Sequence, residues 1–184
     1  MEQRRIVVIT GAGGALGSAI SRRIASEADT DLVLSDVSRA SLDATIEMLD
    51  SPSGSIEAVV ADVSDRAQVD GVIAHAFERF GRVDAYIGNA GVLSPSGRIH
   101  NLTEDDWNRS FRINVLGSVN GIAAVVPTMR AQGSGSIVLT ASVAGLTAWS
   151  HSGPYCATKA AVIQLAKVAA VEYARDGIRV NCVC

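Results

Sequence analysis

A doubly wound α/β fold, in which a parallel sheet carries helices on both faces, is predicted by three observations on this sequence. Six short apolar runs recur along the 184 residues with helical stretches between them. Several of these runs are apolar at consecutive positions instead of alternating, the pattern of strands covered on both faces. Ala, Val, Ile and Gly are plentiful while aromatic residues make up only 4%, which suits close packing of helices on a sheet. With 48% of its residues apolar and 19% charged, the chain fits one globular domain, 1–184, able to bury most of its unfolded surface.

Taken in order, the first strand is expected at 6–10 (IVVIT) and runs straight into TGAGGALGSAI, where glycines precede an apolar-periodic helix. The second lies at 31–36 (DLVLSD) and the third at 55–62 (SIEAVVAD). Ser64 stands before a charged first turn, opening a helix that Gly81 stops. The fourth strand is 83–89 (VDAYIGN), followed by Thr103 and Asp106 as a variant capping box. A helix over 113–129 contains no charged residue and so has no evident face to give to water. The fifth strand, 135–142 (GSIVLTAS), leads to a helix over 155–174 in which only Lys159, Lys167 and Glu172 are charged. Gly177 ends it before the sixth strand, 178–183 (IRVNCV). This alternation implies right-handed crossovers, with ligands expected at the carboxyl ends of the strands. The two apolar helices suggest a four-helix contact with a second subunit, giving a homodimer or homotetramer; burial within a larger monomer is the alternative.

Composition removes several function classes. The formal net charge is −3 and the 16 basic residues are dispersed, so no basic stripe is present and nucleic acid is not an expected partner. The start, MEQRR followed by IVVIT, is too short in apolar residues for a secretion leader or a membrane span, so neither a membrane partner nor export is expected and the location is read as cytoplasmic. Cys156, Cys182 and Cys184 match neither a disulfide framework nor a spaced zinc site; they read as core thiols, and no metal is expected.

The chemistry is concentrated at two places. Gly11, Gly13, Gly14 and Gly17 form a turn between the first strand and its helix, where glycine allows close backbone approach and unpaired N–H groups with the helix dipole favour a pyrophosphate. Such turns also occur without a ligand, but here the second strand ends in Asp36, at the spacing where a carboxylate accepts both hydroxyls of an adenosine ribose. A 2′-phosphate there would meet like charge, and no basic residue sits in the turn; Arg39 lies near enough to soften the repulsion, yet NAD is favoured over NADP. Farther on, Tyr155 and Lys159 lie four residues apart on a helix, which sets their side chains roughly 5 to 6 Å apart on one face. That spacing is common on solvated helices. Near a ligand, however, the ammonium would favour the phenolate that a tyrosine needs to serve as acid or base near neutrality. Ser142, at the end of the fifth strand, offers a hydroxyl that polarises a substrate oxygen.

These residues bring out a resemblance. TGAGGALG, Asp36, Asp62 with Val63, Asn89-Ala90-Gly91, Asn114, Ser142 and the run Tyr155-Cys-Ala-Thr-Lys159 stand in the order and spacing of the short-chain dehydrogenase/reductase family, over essentially the whole chain. The resemblance implies that Tyr155 exchanges a proton with the oxygen of a small alcohol or ketone, that Ser142 orients that oxygen, and that a hydride passes to or from the nicotinamide of NAD. It implies that Lys159 holds the nicotinamide ribose and favours the Tyr155 phenolate, and that Asn114 positions a water linking Lys159 to solvent. Gly11, Gly13, Gly14, Ala15, Leu16 and Gly17 would then cradle the cofactor phosphates, Asp62 and Val63 would touch adenine, and Asn89, Ala90 and Gly91 would line the adenosine side.

The chain departs from the family pattern at three points. Ala15 takes the place of the second glycine of the phosphate turn, which is tolerated if its local φ is negative. Gly88 replaces the first Asn of the usual Asn-Asn-Ala-Gly. The sequence stops at Cys184, where the family continues Pro-Gly, so a nicotinamide-side loop, a last strand and a substrate lid are expected to be missing. Two readings follow: a dehydrogenase with an incomplete C-terminus, or a cofactor-binding or oligomerisation module without efficient turnover. Epimerisation or dehydration on the same Tyr and Lys pair is a third.

Overall fold

Six parallel strands, β1 (Arg5–Thr10), β2 (Thr30–Asp36), β3 (Ile56–Val60), β4 (Ala85–Gly88), β5 (Gly135–Thr140) and β6 (Ile178–Val183), form one sheet in the order β3-β2-β1-β4-β5-β6. The structure is a computed structural model in which residues 4–184 are described; Met1, Glu2 and Gln3, part of the N-terminal stretch read for leader or span, lie outside the described residues. The predicted α/β class and all six strands are present. The chain starts in the middle of the sheet, builds outward through β2 and β3, then returns to add β4 on the other side of β1. Loops leaving β1 and β4 therefore diverge to opposite faces, which opens a crevice at their carboxyl ends.

Alternation along the central strands distributes the core between the two faces. Val7 and Ile9 of β1, with Leu32 and Leu34 of β2, pack under α1 (Ala15–Ala25) and α2 (Arg39–Glu47). Val8 and Val33 point the other way and join Tyr86, Ile137 and Leu139 beneath α3 (Arg66–Phe80), α5 (Gly117–Gln132) and α6 (Gly153–Tyr173). Continuous apolar runs thus supply two half-cores from one strand. β3, at the sheet edge, is only partly buried, in keeping with its mixed sequence.

Helix ends follow the punctuation in the sequence with one correction. The N-cap of α3 is Asp65 and not Ser64: the Asp65 carboxylate accepts from the N–H groups of Ala67 and Gln68 (2.9 and 3.3 Å), while Ser64 is held in the preceding turn by donating its N–H to Asp62. Gly81 and Gly177 close their helices with φ of 76° and 74°. Thr103 and Asp106 form a full capping box on α4 (Glu104–Ser110). The charge-free stretch 113–129 begins inside a π-helical turn, Phe111–Leu116, that joins α4 to α5. β3, β4 and β5 end one or two residues before the apolar runs suggested, while β1, β2 and β6 end where expected; Ser142 lies two residues past β5 and caps a short 3-10 turn, Val143–Gly145.

Candidate active site

β1 ends at Thr10 and the chain turns at Gly11, whose φ of 66° is left-handed; a side chain there would come 2.6 Å from the Cα of Ala90. At Gly17 a side chain would strike the carbonyl of Gly11, so this glycine lets α1 lie directly on the turn. Gly14 is the N-cap of α1 and has no side chain to cap the first N–H groups, which remain free to take an anion. Ala15 is the first residue of the helix and has negative φ, so its methyl group is accommodated as the sequence expectation required.

Asp36 is fixed by the turn it faces. One carboxylate oxygen accepts from the Gly13 N–H (3.0 Å) and the other from the Ser38 N–H (3.0 Å), leaving further lone pairs on both. Arg39, expected to soften the charge here, instead pairs with Asp43 at 2.9 Å along α2 and is not part of the cleft lining. On the next strand end, Asp62 accepts from the Ser64 N–H (2.8 Å), and the Val63 carbonyl takes a bond from Asn120 (2.9 Å). Asn89 links the two sides of the crevice: its amide donates to the Gly11 carbonyl (3.1 Å) and its oxygen accepts from Thr140 (3.2 Å).

At the other end Lys159 is only 4% exposed, and its ammonium donates to the Thr140 carbonyl at 2.8 Å. No carboxylate lies within ion-pair distance of it among the described residues. Burial pushes the Lys159 ammonium below the ordinary lysine range. Its Nζ lies 5.7 Å from the centroid of the half-buried Tyr155 ring, in keeping with two side chains on one helix face. Asn114, 1% exposed, accepts from the Val92 N–H (2.8 Å) and donates to the Val92 carbonyl and the Thr158 hydroxyl, both at 3.0 Å. Both of its amide hydrogens are therefore spent on holding the segment after β4 against α6. Its oxygen and the Lys159 ammonium face one small space: a side chain at Gly91 would come 3.1 and 3.3 Å from them. The Ser142 hydroxyl accepts from the Ala144 N–H (3.1 Å) and keeps its own hydrogen to donate.

Together these groups border a cleft of about 560 Å³, within the range of small-molecule sites. Gly11, Gly14, Ala15, Leu16 and Gly17 of the turn, with Asp36, Asp62, Val63, Asn89 to Gly91, Tyr155 and Lys159, all line it. Gly13, Asn114 and Ser142 do not: Gly13 packs behind Asp36, Asn114 behind Gly91, and Ser142 follows the lining residues Thr140 and Ala141. Among the lining residues that sequence reasoning missed are Thr140, Ile113 and Arg109. Thr140 could have been found as the last residue of β5, where strand ends open onto a ligand site; the other two carry no comparable signal.

A family model described as short chain dehydrogenase matches residues 5–184. Levodione reductase of Leifsonia aquatica is 39% identical over 181 residues, covering 97% of this chain and 67% of that protein. Meso-2,3-butanediol dehydrogenase of Serratia marcescens is 36% identical over 180 residues, covering 98% and 70%. Among solved structures, that of NAD⁺-bound xylitol dehydrogenase superposes with a TM-score of 0.94 at 31% identity, covering 99% of this chain and 70% of that one.

Proposed function

The chain is an oxidoreductase that belongs to the short-chain dehydrogenase family, and we propose that it moves a hydride between NAD(H) and a secondary alcohol or its ketone with Tyr155 as acid and base. The observation that carries this reading is the buried, carboxylate-free Lys159 beside Tyr155, at one end of a cleft whose other end holds Asp36. A cation kept out of water with the Thr140 carbonyl as its hydrogen-bond partner is costly for folding alone, and such groups cluster at functional sites.

The residues fit a dinucleotide. Gly11, Gly13 and Gly17 leave the backbone bare where a side chain would clash, the free N–H groups of Ala15, Leu16 and Gly17 suit a pyrophosphate, and Asp36 presents lone pairs suited to ribose hydroxyls. The nicotinamide, when bound, supplies or takes up the hydride. Tyr155 donates its phenolic proton to the ketone oxygen in one direction and recovers it in the other. Lys159 favours the negative charge that develops on the Tyr155 oxygen and holds ribose hydroxyls, while Ser142 donates its hydroxyl hydrogen to the substrate oxygen. Asn114 fixes the 91–92 segment against α6, and its oxygen shares the space at Gly91 with Lys159, where a water can carry the proton onward.

NAD is preferred to NADP because Asp36 repels a 2′-phosphate and Arg39 is already paired. The names of the relatives support a small alcohol or ketone as substrate and an enzyme rather than a binding module. The 184 residues act as one dinucleotide-binding domain, in the cytoplasm and as a homodimer or homotetramer; no helix of the described residues is long and apolar enough to cross a membrane. The test follows NADH absorbance with a panel of cyclic and acyclic ketones, beside calorimetric titration of both cofactors. NADH-dependent reduction, with NAD bound at least about tenfold tighter than NADP, is expected. Equal or tighter NADP binding would defeat the role given to Asp36.

A further inference from the structure

Arg109, near the end of α4, lines the cleft, yet its guanidinium forms no hydrogen bond or ion pair among the described residues. The arginines that open α2 and α3 are differently placed: Arg39 is paired with Asp43 and Arg66 with Asp70. Helix α4 continues into the π turn and α5, which pack on the sheet face opposite α1, so Arg109 stands across the crevice from the glycine turn. Ile113, four residues on, lines the same wall, and Asn114 beside it ties that wall to Val92. This flank is thereby held in place by a buried side chain, whereas the arginine itself is free.

The charges of the cleft give that arginine a task. Its lining carries Asp36, Asp62, Lys159 and Arg109. Both carboxylates are engaged by backbone N–H groups, and Lys159 is tied to the Thr140 carbonyl at the Tyr155 end. The glycine turn offers N–H groups but no basic side chain. A diphosphate lying on that turn brings two negative charges, for which Arg109 is the free cation in the lining. We propose that Arg109 is the cationic clamp on the diphosphate of the bound dinucleotide, its planar guanidinium bridging phosphate oxygens from the side away from α1. The inference rests on the dinucleotide reading of the cleft. An anionic group on the substrate would be recognised by the same chemistry, and the test separates the two.

The experiment is calorimetric titration of the full chain with ADP-ribose, which has the diphosphate but neither nicotinamide nor substrate, with adenosine as the control lacking phosphate. Native protein, Arg109→Ala and Arg109→Lys are compared at low and high salt, with thermal melts to verify folding. Arg109→Ala should bind ADP-ribose about tenfold more weakly, with a flatter salt dependence, while adenosine binding is unchanged and the Lys variant recovers part of the loss. Unchanged ADP-ribose affinity in Arg109→Ala would overturn the proposal, as would an equal loss for adenosine. Unchanged ADP-ribose affinity together with a raised KM for the ketone would reassign Arg109 to the substrate. Failure of the native protein to bind ADP-ribose or NAD at all would instead bring down the dinucleotide reading, and this proposal with it.

Discussion

Lys159 stands at the centre of the account because its position is costly for the fold. A buried ammonium with one carbonyl partner and, among the described residues, no carboxylate is worse solvated than in the unfolded chain, which is why burial lowers its pKa. In the pH window between the lowered folded value and the ordinary lysine value, the unfolded state binds the proton that the folded state has released, so this group adds stability as pH rises through the window. Lys159→Met should therefore raise the Tm of the cofactor-free protein at neutral pH by a few degrees while abolishing turnover, as checked by calorimetric melts and NADH assays. A lower Tm would mean that the Thr140 hydrogen bond outweighs the buried charge. At the other end, Asp36→Ala should narrow the preference for NAD over NADP, since it removes both the ribose acceptor and the repulsive charge; cofactor titrations read the ratio directly. The Tyr155 and Lys159 pair was legible because helical spacing fixes its geometry. Thr140 acts on Lys159 through a main-chain carbonyl, which any residue supplies, so its identity carried no signal for that contact. Arg39 misled because nearness in sequence does not say that Asp43 will claim it.

Among the elements, strand positions and glycine stops were readable from periodicity and backbone freedom, while the π turn before α5 was not, since one extra residue in a turn scarcely alters an apolar pattern. Ser64 and Asp65 are both good caps; in the fold the Ser64 N–H is tied to Asp62 in the preceding turn, which leaves Asp65 at the position where a carboxylate reaches the first helix N–H groups. The packing of α5 on β4 depends on a further detail. Gly121 has no side chain because the Tyr86 phenol occupies that space, and Tyr86 is 1% exposed with its pKa pushed up to about 12 by burial. A group whose folded pKa is raised keeps its full stabilising share below the unfolded value of about 10 and loses it as pH climbs through the folded one. Native protein should thus lose about 2 kcal/mol between pH 9 and 12 that Tyr86→Phe does not lose, a difference measurable by urea unfolding across that range. Parallel curves for the two proteins would show that the phenol is not the group responsible. Gly121→Ala should be severely destabilising, because its methyl group meets the phenol of a fully packed side chain.

At the scale of the whole molecule, the order β3-β2-β1-β4-β5-β6 brings residues from 11 to 159 to one edge of the sheet, and the sequence revealed this much because alternating strands and helices admit few right-handed arrangements. Which side chains would line the cleft and which would stand behind it was not legible, since that depends on a few ångströms of turn geometry at Gly91 and Ser142. The outer faces of the long helices leave Leu116 and Val119 on one, and Val168 and Val171 on the other, open to solvent. A second copy of the chain covering them would explain a helix without charge, so light scattering should give a dimer or tetramer, and Leu116→Arg should shift it toward monomer; a monomeric native protein at micromolar concentration would defeat that part. The central claim is that one cleft divides its work, with Asp36 and the glycine turn binding the dinucleotide and Tyr155 moving the proton. The most direct test measures, for native protein and Tyr155→Phe, both the NAD dissociation constant and kcat with NADH and the ketone that the native protein reduces fastest. The account predicts a loss in kcat of about 100- to 10,000-fold with NAD affinity kept within about twofold. Near-native kcat in Tyr155→Phe would contradict it.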